Sequence, residues 1–358
     1  MKKSKLLIIT AILVIVTITA AVFAGCVGKA NPSDANLDFD GLASAPTSEA
    51  KAKAQPVDKS KIALSDTMTE DQSVLDSIEY LLRLSNKNII ETDFFAAAAY
   101  GNGVATVSGG IAGSMETREV RVFDNDTYYF DSYGLIVDGY TVKSDGSHGK
   151  VDDSLLSVLA SALNFTKRVY SPNNKDFYFS DKGETNADSI VNFPDQNAVL
   201  YKKPKTKKMT FDEYIKMTSS RDNYKGFTTD NYDNDKPITA GLLKYDESTG
   251  IYYLECDINT QNNTLELSVT DMLNNGAIKE FVYAKKHLTI EIWDCGLIRT
   301  YINSNVWNAS MILGLKGSSD NYYEQWFTYD KSKLDKMNIS EDLKNDLFSH
   351  LQYLSSEY

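Results

Sequence analysis

The chain opens with Lys2, Lys3 and Lys5 and then runs for eighteen residues, Leu6 to Phe23, without a charge. Polar positions take over after Cys26, and no apolar period returns before Thr69. There Val74, Leu75, Ile78, Leu81 and Leu82 recur at three- and four-residue spacing behind Thr69-Glu70-Asp71-Gln72, which has the form of a capping box. The pattern predicts a helix of about four turns ending near Ser85.

From residue 102 the period changes from helical to two. "NGVATVSG", "TREVRVFDNDTYYFDS" and "LIVDGYTV" are β-branched and aromatic runs punctuated by Gly, Asn and Asp. Asp124-Asn125-Asp126 is the turn of a predicted hairpin. Leu155, Leu156, Val158, Leu159 and Leu163 predict a second helix, and a lysine-rich segment, "YKKPKTKKM", follows at 201–209. A second capping box, Thr210-Phe211-Asp212-Glu213, then introduces a short helix through Phe211, Tyr214 and Ile215. Strands return in "GLLKYDESTGIYYLECDI", "TLELSV", "HLTIEIWDCGLIRTYI" and "YYEQWFTYD". Leu288, Ile290 and Ile292 alternate with Thr289 and Glu291, as a sheet with one wet face requires. Ile339, Leu343, Leu347, Leu351 and Leu354 predict a closing amphipathic helix.

The predicted organisation is a signal segment 1–25, a disordered tether 26–66, an N-terminal α+β half 67–204, a C-terminal α+β half 205–336 and a helix 337–358. The tether is rich in Ala, Ser, Lys, Asp and Pro and too poor in apolar residues to order itself. A flexible chain of about 40 residues spans roughly 35 Å.

Charge narrows the partners. The full chain carries net −12, and residues 1–25 hold three lysines and no acid, so the chain beginning at Cys26 stands at −15. Nucleic acid is not a partner for a surface of that sign. Acidity suits an exported protein that must stay soluble.

The segment 1–25 has the parts of an export signal: a positive start, an apolar run, and small residues before the cysteine. Phe23-Ala24-Gly25-Cys26 resembles the lipobox of Gram-positive bacterial lipoproteins, with Phe23 where leucine is usual. That resemblance implies cleavage between Gly25 and Cys26 and a diacylglyceryl group on the Cys26 thiol, carrying acyl chains such as palmitate. Two acyl chains suffice for stable anchoring where one does not. The implied location is the outer face of the cell membrane, with the membrane as a partner through the N-terminal lipid. Lipobox, tether, capped helix and antiparallel meander together resemble the LolA-like and LprG-like lipid-binding lipoproteins. The resemblance spans about residues 69–336 as a pattern of elements. It implies an α+β fold in which a curved antiparallel sheet, a half-barrel made of two similar halves, closes over a few amphipathic helices around an apolar cavity.

No catalytic or metal motif accompanies these features. His148, His287 and His350 are far apart in sequence, and neither HExxH nor paired CxxC spacing occurs. "GNGVATVSGG" lacks the lysine of a phosphate loop and reads as a strand with bends. "TDNYDNDKP" clusters Asp230, Asp233 and Asp235 without the ligand order of an EF-hand and reads as a turn. Cys256 falls on a strand and Cys295 in a turn, so their spacing does not argue for a disulfide. Tyr128, Tyr129, Tyr252, Tyr253, Trp293, Trp307, Tyr322, Tyr323 and Trp326 either pack strands or form a platform for sugar or peptide. No cofactor is expected. The first functional expectation is a non-catalytic binding protein for a lipid or other amphiphile. The alternatives are a cell-surface interaction module for protein or wall polymer, and an envelope hydrolase.

Overall fold

The computed structural model describes residues 43–107, 111–125, 127–142, 147–150, 165–171, 178–180, 238–259, 278–311 and 316–333. The expected lipid site Gly25–Cys26, the helices near 155–163 and 211–218, the lysine-rich segment, the Asp230 cluster, His350 and the terminal helix lie outside these residues.

Among the described residues twelve strands form one sheet, every pair antiparallel. They are β1 (Ser65–Thr69), β2 (Phe94–Val107), β3 (Ile111–Asp124), β4 (Thr127–Val142), β5 (His148–Lys150), β6 (Phe165–Ser171), β7 (Tyr178–Ser180), β8 (Ile238–Asp246), β9 (Ile251–Ile258), β10 (Ile278–Trp293), β11 (Ile298–Met311) and β12 (Lys316–Thr328). The order across the sheet is β1-β8-β9-β10-β11-β12-β2-β3-β4-β6-β7, with β5 against β4. The described helices are α1 (Ser48–Lys53) and α2 (Gln72–Glu91), with 3-10 turns at Lys59–Lys61 and at residues 331–333.

This architecture corrects the expected α+β half-barrel of two similar halves. Strands from both sides of the expected boundary at 204/205 share one sheet: β12 pairs with β2 through twelve consecutive residues, and β1 pairs with β8. Helix α2, from the N-terminal side of that boundary, packs on β8, β9 and β10 from the C-terminal side. Sheet dominates, and α2 is the one long helix among the described residues.

Helix α2 lies on one face of this sheet, the inner face. Asp71 caps its N-terminus, accepting from the Ser73 amide at 2.9 Å, while Thr69, the expected cap, receives the Asp71 amide at 3.1 Å. The helix continues to Glu91, two turns past the expected end, because Leu84 and Ile89 extend its buried stripe. Val74, Leu75, Ile78, Leu81 and Leu82, the residues read from spacing, are all buried. They pack with Leu243 of β8, Tyr252, Leu254 and Cys256 of β9, and Leu288, Ile290 and Ile292 of β10. Gly241 of β8 permits the close approach: a Cβ there would collide with Ile78 Cδ1. Phe95, Phe123 and Phe327 extend the core across β2, β3 and β12, with the Phe95 and Phe123 rings stacked at 4.4 Å.

Two further elements differ from expectation. The alanines of "FFAAAAY", assigned no element by periodicity, are fully buried in β2, which is paired with β12 on one side and β3 on the other. Residues 43–66, expected to belong to the tether, are packed on the body: Ala43, Ala50, Ala54 and Val57 are buried, and the Val57 amide bonds to the Asp294 carbonyl at 3.0 Å.

Candidate functional site

Alternation along the strands sorts the chemistry onto two faces. On the face away from α2, Tyr253 and Glu255 of β9 stand beside Glu291 and Thr289 of β10, then Thr300 and Ile302 of β11, then Trp326 and Glu324 of β12. Asp257, His287, Ser304 and Tyr322 form the next row. With adjacent strands about 4.8 Å apart, the band from β9 to β12 is roughly 14 Å wide.

Each carboxylate in the band is held by a donor on the same face. The Tyr253 hydroxyl donates to Glu255, and His287 Nδ1 lies 2.8 Å from Asp257 Oδ1. Arg299 and the Thr300 hydroxyl both donate to Glu291 Oε2. Glu324 is 3 % exposed and accepts from the Tyr322 hydroxyl at one oxygen and from Trp326 Nε1, at 3.3 Å, at the other. Burial and the neighbouring Glu255 carboxylate push the Tyr253 hydroxyl up to about 12, and burial beside Glu324 pushes Tyr322 up as well. These phenols stay protonated donors. Glu255 and Asp257 remain partly open to solvent, with side chains 27 % and 42 % exposed. The result is a fixed band of carboxylates, Glu324 buried and Glu255, Asp257 and Glu291 half-buried, flanked by Tyr253, Tyr322 and Trp326.

The inner face changes character beyond the helix. Asn303 and Asn305 of β11, Ser319, Asn321 and Gln325 of β12, and Thr117 of β3 are all buried there. Asn321 Nδ2 donates to Asn305 Oδ1 at 3.0 Å, and the Tyr323 hydroxyl crosses the small residues of β2 to reach Glu119 Oε2 at 3.1 Å. Glu119 is in turn paired with Arg121 at 3.1 Å. Asn303 Oδ1 is buried with no hydrogen-bond partner.

At the turn end of the sheet, a polar cleft of about 190 Å³ is lined by residues including Lys53, Asp93, Asp124, Asn125 and Lys331. Both of its lysines are engaged, Lys53 with Asp93 and Lys331 with Asp124.

The sequence-predicted residues distribute accordingly. The aromatic pairs divide between the faces: Tyr252 is buried inward and Tyr253 outward, Tyr323 inward and Tyr322 outward, while Trp307 is fully buried. His287 sits within β10, and His148 begins β5. Cys256 and Cys295 are free buried thiols, and burial raises both above the ordinary thiol range. Among the described residues no group of three or more His, Cys, Asp or Glu is placed to hold a metal, and no helix is long and apolar enough to cross a membrane. Sequence reasoning missed the carboxylate band because its members come from four strands; the spacing Tyr-x-Glu in both "YYLEC" and "YYEQW" was its only local sign.

No family model matches the chain, and no curated protein matches it. Among solved structures, Neisserial surface protein A is similar at 7% identity with a TM-score of 0.17, over 66% of this chain and 97% of that one. Ail, the attachment invasion locus protein of Yersinia pestis, is similar at 8% identity and a TM-score of 0.17, over 66% of this chain and 99% of its own. At those TM-scores neither likeness carries an argument about this chain.

Proposed function

We propose that this chain is an extracytoplasmic interaction module, exported and anchored through a lipid on Cys26, that presents the outer face of its sheet to a wall polymer. The observation that carries this reading is the contrast between the faces. Where a lipid cavity was expected, Ile78, Leu81 and Leu82 of α2 are at most 1 % exposed and fill the space against the sheet. The outer face instead offers half-exposed carboxylates and aromatic rings in a fixed arrangement. Aromatic faces stack on sugar rings, and carboxylates accept their hydroxyl protons. Since every carboxylate of the band is already held by a donor, binding costs little side-chain ordering.

The test is co-sedimentation of the mature chain with purified cell-wall material. The expected result is saturable binding that is lost in a Tyr253→Ala/Trp326→Ala double variant with native circular dichroism, kept in Met68→Ala on β1, and accompanied by no release of soluble fragments. Absence of binding, or equal binding by the double variant, overturns the proposal.

A further inference from the structure

We infer that the cleft at the turn end of the sheet is a binding site for a basic α-amino acid, a ligand with one carboxylate, two ammonium groups and an aliphatic stem. None of the residues of the outer band lines it.

The cleft measures about 190 Å³. Pockets for drug-sized ligands begin at roughly 300 Å³, so the space suits a molecule the size of one amino acid. Its charged groups come from segments far apart in sequence. Helix α1 supplies Glu49 and Lys53, the approach to β2 supplies Asp93, the end of β3 supplies Asp124, and the segment after β12 supplies Lys331. Local bonds hold these segments against one another. Thr47 Oγ1 caps α1 by accepting the Ala50 amide at 3.2 Å and donates to the Tyr329 carbonyl at 3.5 Å, which fastens the helix to the exit of β12. The Asn125 amide donates to the Asp93 carbonyl at 2.6 Å, and Asn125 Nδ2 donates to Asp124 Oδ1 at 2.9 Å, so one residue ties the two aspartates together.

Charge and apolar surface select the ligand. Three carboxylates, Glu49, Asp93 and Asp124, face two ammonium groups, Lys53 and Lys331, and one negative charge is left over. Lys53 pairs with Asp93 and Lys331 with Asp124, which leaves Glu49 as the carboxylate without an ion pair among the described residues. Glu49 and Lys53 stand one helical turn apart on α1, on the same side of the helix. That spacing presents an anion and a cation together to the ammonium and carboxylate of an amino-acid head. Lys53 can serve a second acceptor because an ammonium has three donors. Buried Ala50, Phe94 and Tyr329 line the same cleft and offer an aliphatic stem an apolar surface. Lys331 Nζ lies over the Phe94 ring at 5.6 Å, and its partner Asp124, with a side chain 11 % exposed, is an enclosed anion for an ammonium at the far end of the stem. A basic amino acid therefore cancels the surplus charge as well as matching the shape. A diamine has nothing to give Lys53, a neutral amino acid leaves the surplus charge in place, and a phosphate adds to it.

Isothermal titration calorimetry of the mature chain at low ionic strength tests this, with lysine as the probe and norleucine and cadaverine as controls that lack the side-chain ammonium and the carboxylate. The expected result is saturable binding of lysine at one site, with both controls weaker by at least about tenfold, the loss of one charge-assisted contact. Glu49 is exposed and makes no ion pair, so a Glu49→Gln variant should keep its native circular dichroism and weaken lysine binding by about tenfold. Absence of saturable lysine binding would mean that the two ion pairs only fasten α1 to the sheet, and it overturns the inference. Norleucine or cadaverine binding as tightly as lysine, or unchanged lysine binding in Glu49→Gln, overturns it as well.

Discussion

Truncating Leu81 to alanine tests whether α2 fills the core or borders a cavity. Leu81 is fully buried and belongs to the cluster formed with Leu243, Leu254 and Ile290. The change removes three carbons, worth about 2.4 kcal/mol at roughly 0.8 kcal/mol each. A cavity contribution adds to this, because the sheet opposite is held by ladders on both sides of β9 and β10 and cannot collapse into the space. The expected loss is about 3–4 kcal/mol, within the usual range for a buried leucine. Equilibrium urea unfolding, followed by the fluorescence of the three tryptophans, measures it. A cavity-lining helix would behave differently, losing under about 2 kcal/mol and gaining affinity for an apolar ligand. A loss below about 1 kcal/mol together with stronger binding of a fluorescent fatty acid would refute the filled core.

Three other outcomes follow from the same structure. Gly296, at φ +80, sits where a Cβ would meet the Asn88 side chain and the Gln55 carbonyl, so Gly296→Ala should lower stability by more than about 2 kcal/mol, read as a shifted urea midpoint. Asn303→Leu removes the buried carbonyl oxygen that lacks a partner and should stabilise the chain by about 1 kcal/mol; a loss in the same urea experiment would show that the amide is used. The Tyr253 hydroxyl is raised from 10.0 to about 12, so its contribution to stability is complete below about pH 10 and disappears as pH rises through 12. Phenolate absorbance should show a late-titrating fraction that coincides with alkaline unfolding, and titration of every tyrosine near pH 10 would contradict this.

Local pattern was legible in the sequence, and pairing across the chain was not. The stripe Val74 to Leu82 is buried as its spacing predicts, and the β3–β4 and β10–β11 hairpins form where alternation and turn residues place them. Periodicity carries no information about which hairpins become neighbours, so the joining of β12 to β2 was invisible and two separate halves were expected. Composition misled where small and polar residues lie in strands. Asn303-Ser304-Asn305 and Gly317-Ser318-Ser319-Asp320-Asn321 have turn chemistry, yet they continue β11 and β12 in register because each is paired on both sides. The packing of residues 43–66 was hidden for a related reason: alanine and proline with isolated valines look disordered when their burial depends on residues some 240 positions away.

The most direct test of the account is native mass spectrometry of the mature chain, released from membranes in mild detergent, followed by solvent extraction of whatever travels with it. A filled inner face predicts the mass of the polypeptide plus its covalent lipid at Cys26 and an extract free of other acyl chains. A stoichiometric non-covalent lipid that leaves on denaturation would contradict it, returning the inner face to ligand carriage and removing the reason for assigning function to the outer one.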